Sequence, residues 1–272
     1  MNNVFSAKRF GKYFLYDLNN AKSNFGISLL ILGLLPIIIF MISELFSLLF
    51  NGAFTNNSDA SLPGRIMGAC VAVAVVLMVG PVKLYGHVTD KRAGSSFLML
   101  PASTFEKWLS MVLMVVLVLP VCFSCVYLLS DSLMGVIFPN SFGKPVFSLP
   151  LDEVKAFMAE QLPNVHFSII GLTFANWVMY VLFFALGAIV FKKGKVGKCI
   201  LVLFGLAMLF SLILTAIVGV SADADLESFL TGLNLDPEVA AKIFINFCRV
   251  VMGLEIAALL ALLYARLRTI KQ

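Results

Sequence analysis

The sequence predicts an all-α integral membrane protein with about six transmembrane helices, and three observations carry that prediction. Hydrophobic residues make up 60% of the 272-residue chain and charged residues only 13%, about half the charge usual in a soluble domain. The apolar residues gather in runs of about twenty, the helix length that crosses the ~30 Å hydrocarbon core. Within that core every backbone N–H and C=O must be satisfied inside the segment. The runs lack the ten-residue alternation of barrel strands, which leaves helices.

Six spans follow in order, at roughly 26–50, 66–86, 108–130, 167–191, 199–220 and 247–265. At 1.5 Å rise per residue each is long enough to cross with some tilt. Trp108 opens the third and Tyr264 sits near the end of the last, the usual place for aromatic anchors at an interface. The whole chain, 1–272, reads as one transmembrane domain, because the longest stretch between spans is too short to bury its own core. No signal peptide is expected, since the first apolar run is long and no small-residue cleavage site follows it.

Charge sets the orientation. Fifteen of the twenty Lys and Arg fall on one side of this layout, in the N-terminal segment, the connections after spans two and four, and the tail. Ten of the fifteen Asp and Glu fall on the other. The basic side, with both termini, is expected to face the cytoplasm, in a bacterial cytoplasmic (inner) membrane. The pI near 9 is thereby assigned to the lipid bilayer as partner, with no nucleic acid.

Among the surface segments, residues 1–25 mix Phe5, Phe10, Tyr13, Phe14 and Leu15 with Lys8, Arg9 and Lys12. They are expected to form an amphipathic interfacial helix on the cytoplasmic leaflet. The outer loop 131–166 carries a short amphipathic helix with Val154, Phe157, Met158 and Leu162 on one face. The loop 221–246 holds helix starts at Asp223 and at Asp236-Pro237, an Asp cap before Pro at the first helical position.

The connection 87–107 is the most informative. It passes from Lys91 and Arg92 to an apolar cluster of Phe97, Leu98, Met99 and Leu100, then turns at Pro101. Ser103 and Glu106 have the spacing of a capping box, which joins the segment rigidly to the third span, with Lys107 next to it. An apolar cluster beside cations is read as a docking surface for another protein.

Catalytic chemistry is missing from the sequence. No Walker A sequence occurs, since the run 194–198 lacks both the leading Gly and the Ser or Thr after Lys. Neither a metal-binding His pair nor a serine nucleophile elbow is present. No enzyme activity and no cofactor are expected. Cys122 and Cys125 form a Cys-x-x-Cys inside the third span, read as packing because apolar burial disfavours the thiolate. Two acids fall within spans, Glu255 and Glu44, where ionisable groups are costly and often functional. Small residues recur every fourth position as Gly253, Ala257, Ala261 and Ala265, and as Gly64, Gly68 and Ala72. Such stripes allow close helix approach within one subunit or between two.

The stretch Leu100-Pro101-Ala102-Ser103-Thr104-Phe105-Glu106-Lys107-Trp108 resembles the segment leading into the third span of type-2 ABC exporter permeases. The six spans, the amphipathic N-terminal helix and the short outer helices between spans five and six are similar in layout. The resemblance implies alternating access by two permease subunits, as a homo- or heterodimer, driven by a separate ABC ATPase subunit. It also makes 91–107 the coupling region that receives the ATPase. Two other readings remain open: a non-transporting scaffold or accessory protein, and a proton-coupled secondary carrier using Glu255.

Overall fold

The computed structural model describes residues 5–52, 58–89, 94, 97, 99–143, 169–218 and 237–270. Among them there is no strand. The helices are α1 (Ala7–Gly33), α2 (Leu35–Asn51), α3 (Ser58–Tyr85) with a 3₁₀ turn (Gly86–Thr89), and α4 (Thr104–Leu113). A π-helical segment (Met114–Val118) joins α4 to α5 (Leu119–Ile137). Then come α6 (Pro139–Phe142), α7 (Ile169–Val190), α8 (Lys195–Val218) and α9 (Pro237–Thr269). Five of these helices, counting α4 to α5 as one, are long and apolar enough to cross a membrane. The bent pair α1–α2 makes a sixth. The short helix expected around Val154 to Leu162 lies outside the described residues.

Two spans differ from the sequence expectation, each for a physical reason. The first does not begin near Gly26 after a separate interfacial helix. Instead α1 runs unbroken through that position and bends by 44° only at Leu34. Pro36 occupies the second position of α2. It offers no N–H to the carbonyl four residues back and its ring crowds that carbonyl, so the helix breaks there. The last span is joined without a break to the helix expected from Asp236-Pro237, while the start expected at Asp223 lies outside the described residues. Its helix starts at Pro237, as the Asp236-Pro237 signal predicts, and continues unbroken to Thr269.

Proline also explains the π segment. Pro120 cannot donate to the helix ladder, and just before it the N–H of Leu119 reaches back five residues to the Met114 carbonyl. One wider turn absorbs the missing bond without stopping the span.

α7 forms the centre of the bundle, packed between α3 and α9, with Val181, Leu182, Phe184, Ala185, Ala188 and Ile189 buried. α8 lies outside it, and Leu201, Phe204 and Phe210 are exposed. An exposed apolar face this long suits lipid rather than water. α1 runs alongside α4 and α5 in parallel, with Arg9 beside Glu106 and Gly33 against Val126. The beginning of α1 and the end of α9 lie at the same end of the bundle, where Tyr13, Tyr85 and Leu267 share one apolar cluster. That end also carries Lys192, Lys193, Lys195, Arg266 and Arg268, and is called the basic end below.

The two small-residue stripes separate in role. Ala72 is fully buried and Gly68 meets Ile39 of α2, so the stripe in α3 packs within the chain. Gly253, Ala257, Ala261 and Ala265 are all exposed. A less yielding approach occurs at Gly33, where an added methyl would land on Val126. Val126 is β-branched and stiff in a helix, so it cannot swing away. Gly33→Ala should therefore destabilise the fold by about 1–3 kcal/mol. Gly205→Ala, with open space around it, should be neutral or gain up to ~1 kcal/mol from helix propensity. Thermal unfolding in detergent checks the contrast, and equal melting temperatures would refute the close packing.

Candidate functional site

At the basic end the chain from α3 to α4 returns to the bundle, and a capping box sets its exit. The Glu106 N–H donates to Ser103 Oγ (3.2 Å), and the Ser103 N–H donates to Glu106 Oε2 (2.9 Å). The spacing in the sequence thus predicts the local geometry. It does not reveal that Glu106 is fully buried, nor what else it holds. The Ser6 N–H donates to Oε1 (3.0 Å), while Arg9 donates from Nε to Oε2 (2.8 Å) and from Nη2 to Oε1 (2.7 Å). One carboxylate therefore fixes both the start of α1 and the start of α4, in a bidentate pair of the strongest kind.

Lys107 turns inward as well. Its ammonium donates to the Phe97 carbonyl (2.7 Å) and lies 5.0 Å from the centre of the Phe97 ring. Lys195 donates to the Gly86 carbonyl and to Thr89 Oγ1 (2.8 Å), which ties the turn after α3 to the start of α8. Trp108 donates to the Leu260 carbonyl (3.2 Å) and meets the Tyr264 ring edge-on, their centres 6.0 Å apart. The two expected interface anchors are therefore partners, and they lock α4 to α9.

The docking surface read from sequence is thus divided. Phe97, Glu106 and Lys107 are buried and hold the segment in place. Met99 is 78% exposed, and Pro101 and Phe105 are exposed beside it. Leu100 and Ser103 are half-buried. Lys91, Arg92 and Leu98 lie outside the described residues.

A second polar node lies deeper. Tyr85 and Ser110 both donate their hydroxyls to Asp17 Oδ2, at 2.6 and 2.7 Å, joining α1, α3 and α4. At the opposite end of the bundle Arg65, 1% exposed, donates from Nη2 and Nε to Asp131 Oδ1 (2.7 and 3.3 Å). Its Nη1 donates to the Phe142 carbonyl (2.8 Å), and the guanidinium carbon sits 3.7 Å over the Phe142 ring. The charge pattern puts Arg65 and Asp131 on the side of the layout opposite the basic one, without a partner for either, and the structure buries both.

Glu44 is buried in α2, whereas Glu255 is exposed on the flank of α9. Cys122 and Cys125 are exposed too, which replaces the packing role expected of them. Among the described residues no group of three or more His, Cys, Asp and Glu is placed to hold a metal ion. Compared with protein-family models, with curated proteins and with solved structures, the chain matches none.

Proposed function

We propose that this chain is the permease subunit of an exporter driven by a separate ATP-hydrolysing subunit, working with a second permease subunit in a bacterial cytoplasmic membrane. The observation that supports it is the build of the connection before α4. A loop that only rests on headgroups needs no bidentate ion pair on a buried carboxylate, no buried ammonium on its own carbonyl and no capping box. This connection has all three, and it leaves Met99, Pro101 and Phe105 outward.

In this reading a partner bearing on Met99 and Pro101 moves a stiff body. The displacement passes through Phe97 to Lys107, and through Glu106 to α1 and α4 together. Both helices then shift against the α7 core, which is how a local contact changes the access of a pathway. The sequence holds no Walker A run, so in this reading the energy comes from the partner.

The test is to purify the tagged protein in mild detergent and identify what accompanies it by mass spectrometry. An ATP-binding-cassette subunit is expected, and Met99→Asp with Pro101→Ala should remove it while the fold persists. Recovery of the chain alone, under conditions that preserve a known complex of this class, would overturn the proposal in favour of a scaffold or carrier.

A further inference from the structure

The position of Asp17 asks for an explanation that helix packing does not supply. α1 keeps a fixed register beside α4 and α5, from Arg9 at Glu106, through Asp17 at Ser110, to Gly33 at Val126. Residues 17–24 of α1 therefore lie at the depth of the first turns of the apolar span. Yet Asn20 is half-buried and Asn24 exposed there, on one flank of α1. Polar side chains at such depth face a water-filled cavity rather than lipid.

A cavity is present on that flank, with a volume of about 260 Å³. Asp17, 8% exposed, lines it together with Tyr13, Tyr16, Tyr85, Phe97 and Asn20. Both hydroxyl donors to Asp17 fall on Oδ2. Asp17 lines the cavity, and Oδ1 is the oxygen that these two hydroxyls do not use. Among the described lining residues there is no Lys or Arg, and His87 is the basic side chain that faces Asp17. A carboxylate ringed by aromatic side chains is the chemistry that selects an ammonium group, through charge and cation–π attraction together. The volume lies just under that of pockets for drug-sized ligands, so the ligand is small.

We propose that this cavity binds a small organic ammonium group, with Asp17 as its counter-ion and Tyr13, Tyr16, Tyr85 and Phe97 as its aromatic walls. The site deepens the permease reading by naming a substrate class, and rests on that reading for transport alone. Phe97 belongs to both the cavity and the connection before α4, so an occupied site bears on the element that would meet the ATPase.

Calorimetric titration tests the site in nanodiscs of phosphatidylglycerol alone, with choline and ethanolamine as probes. At least one should bind saturably, and roughly tenfold more tightly than the neutral choline isostere 3,3-dimethylbutan-1-ol. Asp17→Asn keeps the size and still accepts both hydroxyls, and it should abolish binding without lowering the melting temperature much. Tyr16→Ala, at the exposed rim, should weaken binding about threefold. Phosphatidylethanolamine added to the nanodiscs should compete where the natural ligand is a lipid headgroup, and leave the affinity unchanged where it is a free amine. Absence of saturable binding, equal binding of the neutral alcohol, or full binding by folded Asp17→Asn overturns the site. An ATPase that co-purifies with a protein binding no amine removes the site and keeps the permease reading. Amine binding without an ATPase partner does the reverse.

Discussion

Replacing Asp131 by Ala should destabilise the protein by about 3–5 kcal/mol, the usual cost of removing one partner from a buried ion pair. The reason is what stays behind. Arg65 is 1% exposed, so its guanidinium cannot turn to water when the carboxylate is gone. The Phe142 carbonyl and ring still hold one edge and one face of it, which places the effect nearer the lower figure. Removing the charge along with its partner should reverse most of the loss. Arg65→Met with Asp131→Leu is therefore expected to melt close to the parent, since well-packed apolar side chains often replace a buried pair at little cost. Reversible unfolding in mixed detergent measures both variants. A loss under ~1 kcal/mol for Asp131→Ala would mean that the pair behaves as a solvated surface bridge. α2, α3, α5 and α6 meet around Phe40, Met134 and Phe142, so the single variant should also loosen the bend between α1 and α2.

How far the sequence foretells this fold depends on the range of the interaction. Span lengths are set by the thickness of hydrocarbon, a local rule, and the five unbroken spans fall close to the runs that hydropathy marks out. The capping box of Ser103 and Glu106 is also local, three residues apart, and was legible. What sequence did not reveal acts over distance. Arg9 and Glu106 are 97 positions apart, and Arg65 and Asp131 are 66 apart. Each member reads alone as a surface charge, and only the fold shows both carboxylates buried and matched. The continuity of α1 was hidden for a related reason. Asp17, Asn19, Asn20 and Lys22 interrupt the apolar pattern, so a window on hydropathy ends the span at Gly26. The helix continues because Tyr85 and Ser110 accommodate Asp17 from other elements.

The same distance argument sets the expectation for Glu106. Glu106→Gln preserves the side-chain volume but brings an amide N–H₂ against donors that already point at it. Up to two of the four incoming N–H groups lose their acceptor, and the pairing with Arg9 loses its charge. Hydrogen exchange in the first two turns of α1 and the first turn of α4 should then rise roughly five- to tenfold, the scale of a lost helix cap. Arg9→Met should do less, because the backbone N–H groups of Ser6 and Ser103 keep Glu106 engaged. In the Glu106→Gln background Arg9→Met should add almost nothing, since residues of one network are not additive. Additive effects would show that Arg9 and Glu106 act separately and that α1 is not held by this carboxylate. Under the permease reading the consequence reaches function. A connection no longer clamped to α1 still meets its partner through Met99 and Pro101, so ATP hydrolysis persists while transport in proteoliposomes falls. Loss of both together would instead place Glu106 in assembly of the complex, because a clamp that only transmits movement has no reason to stop the motor.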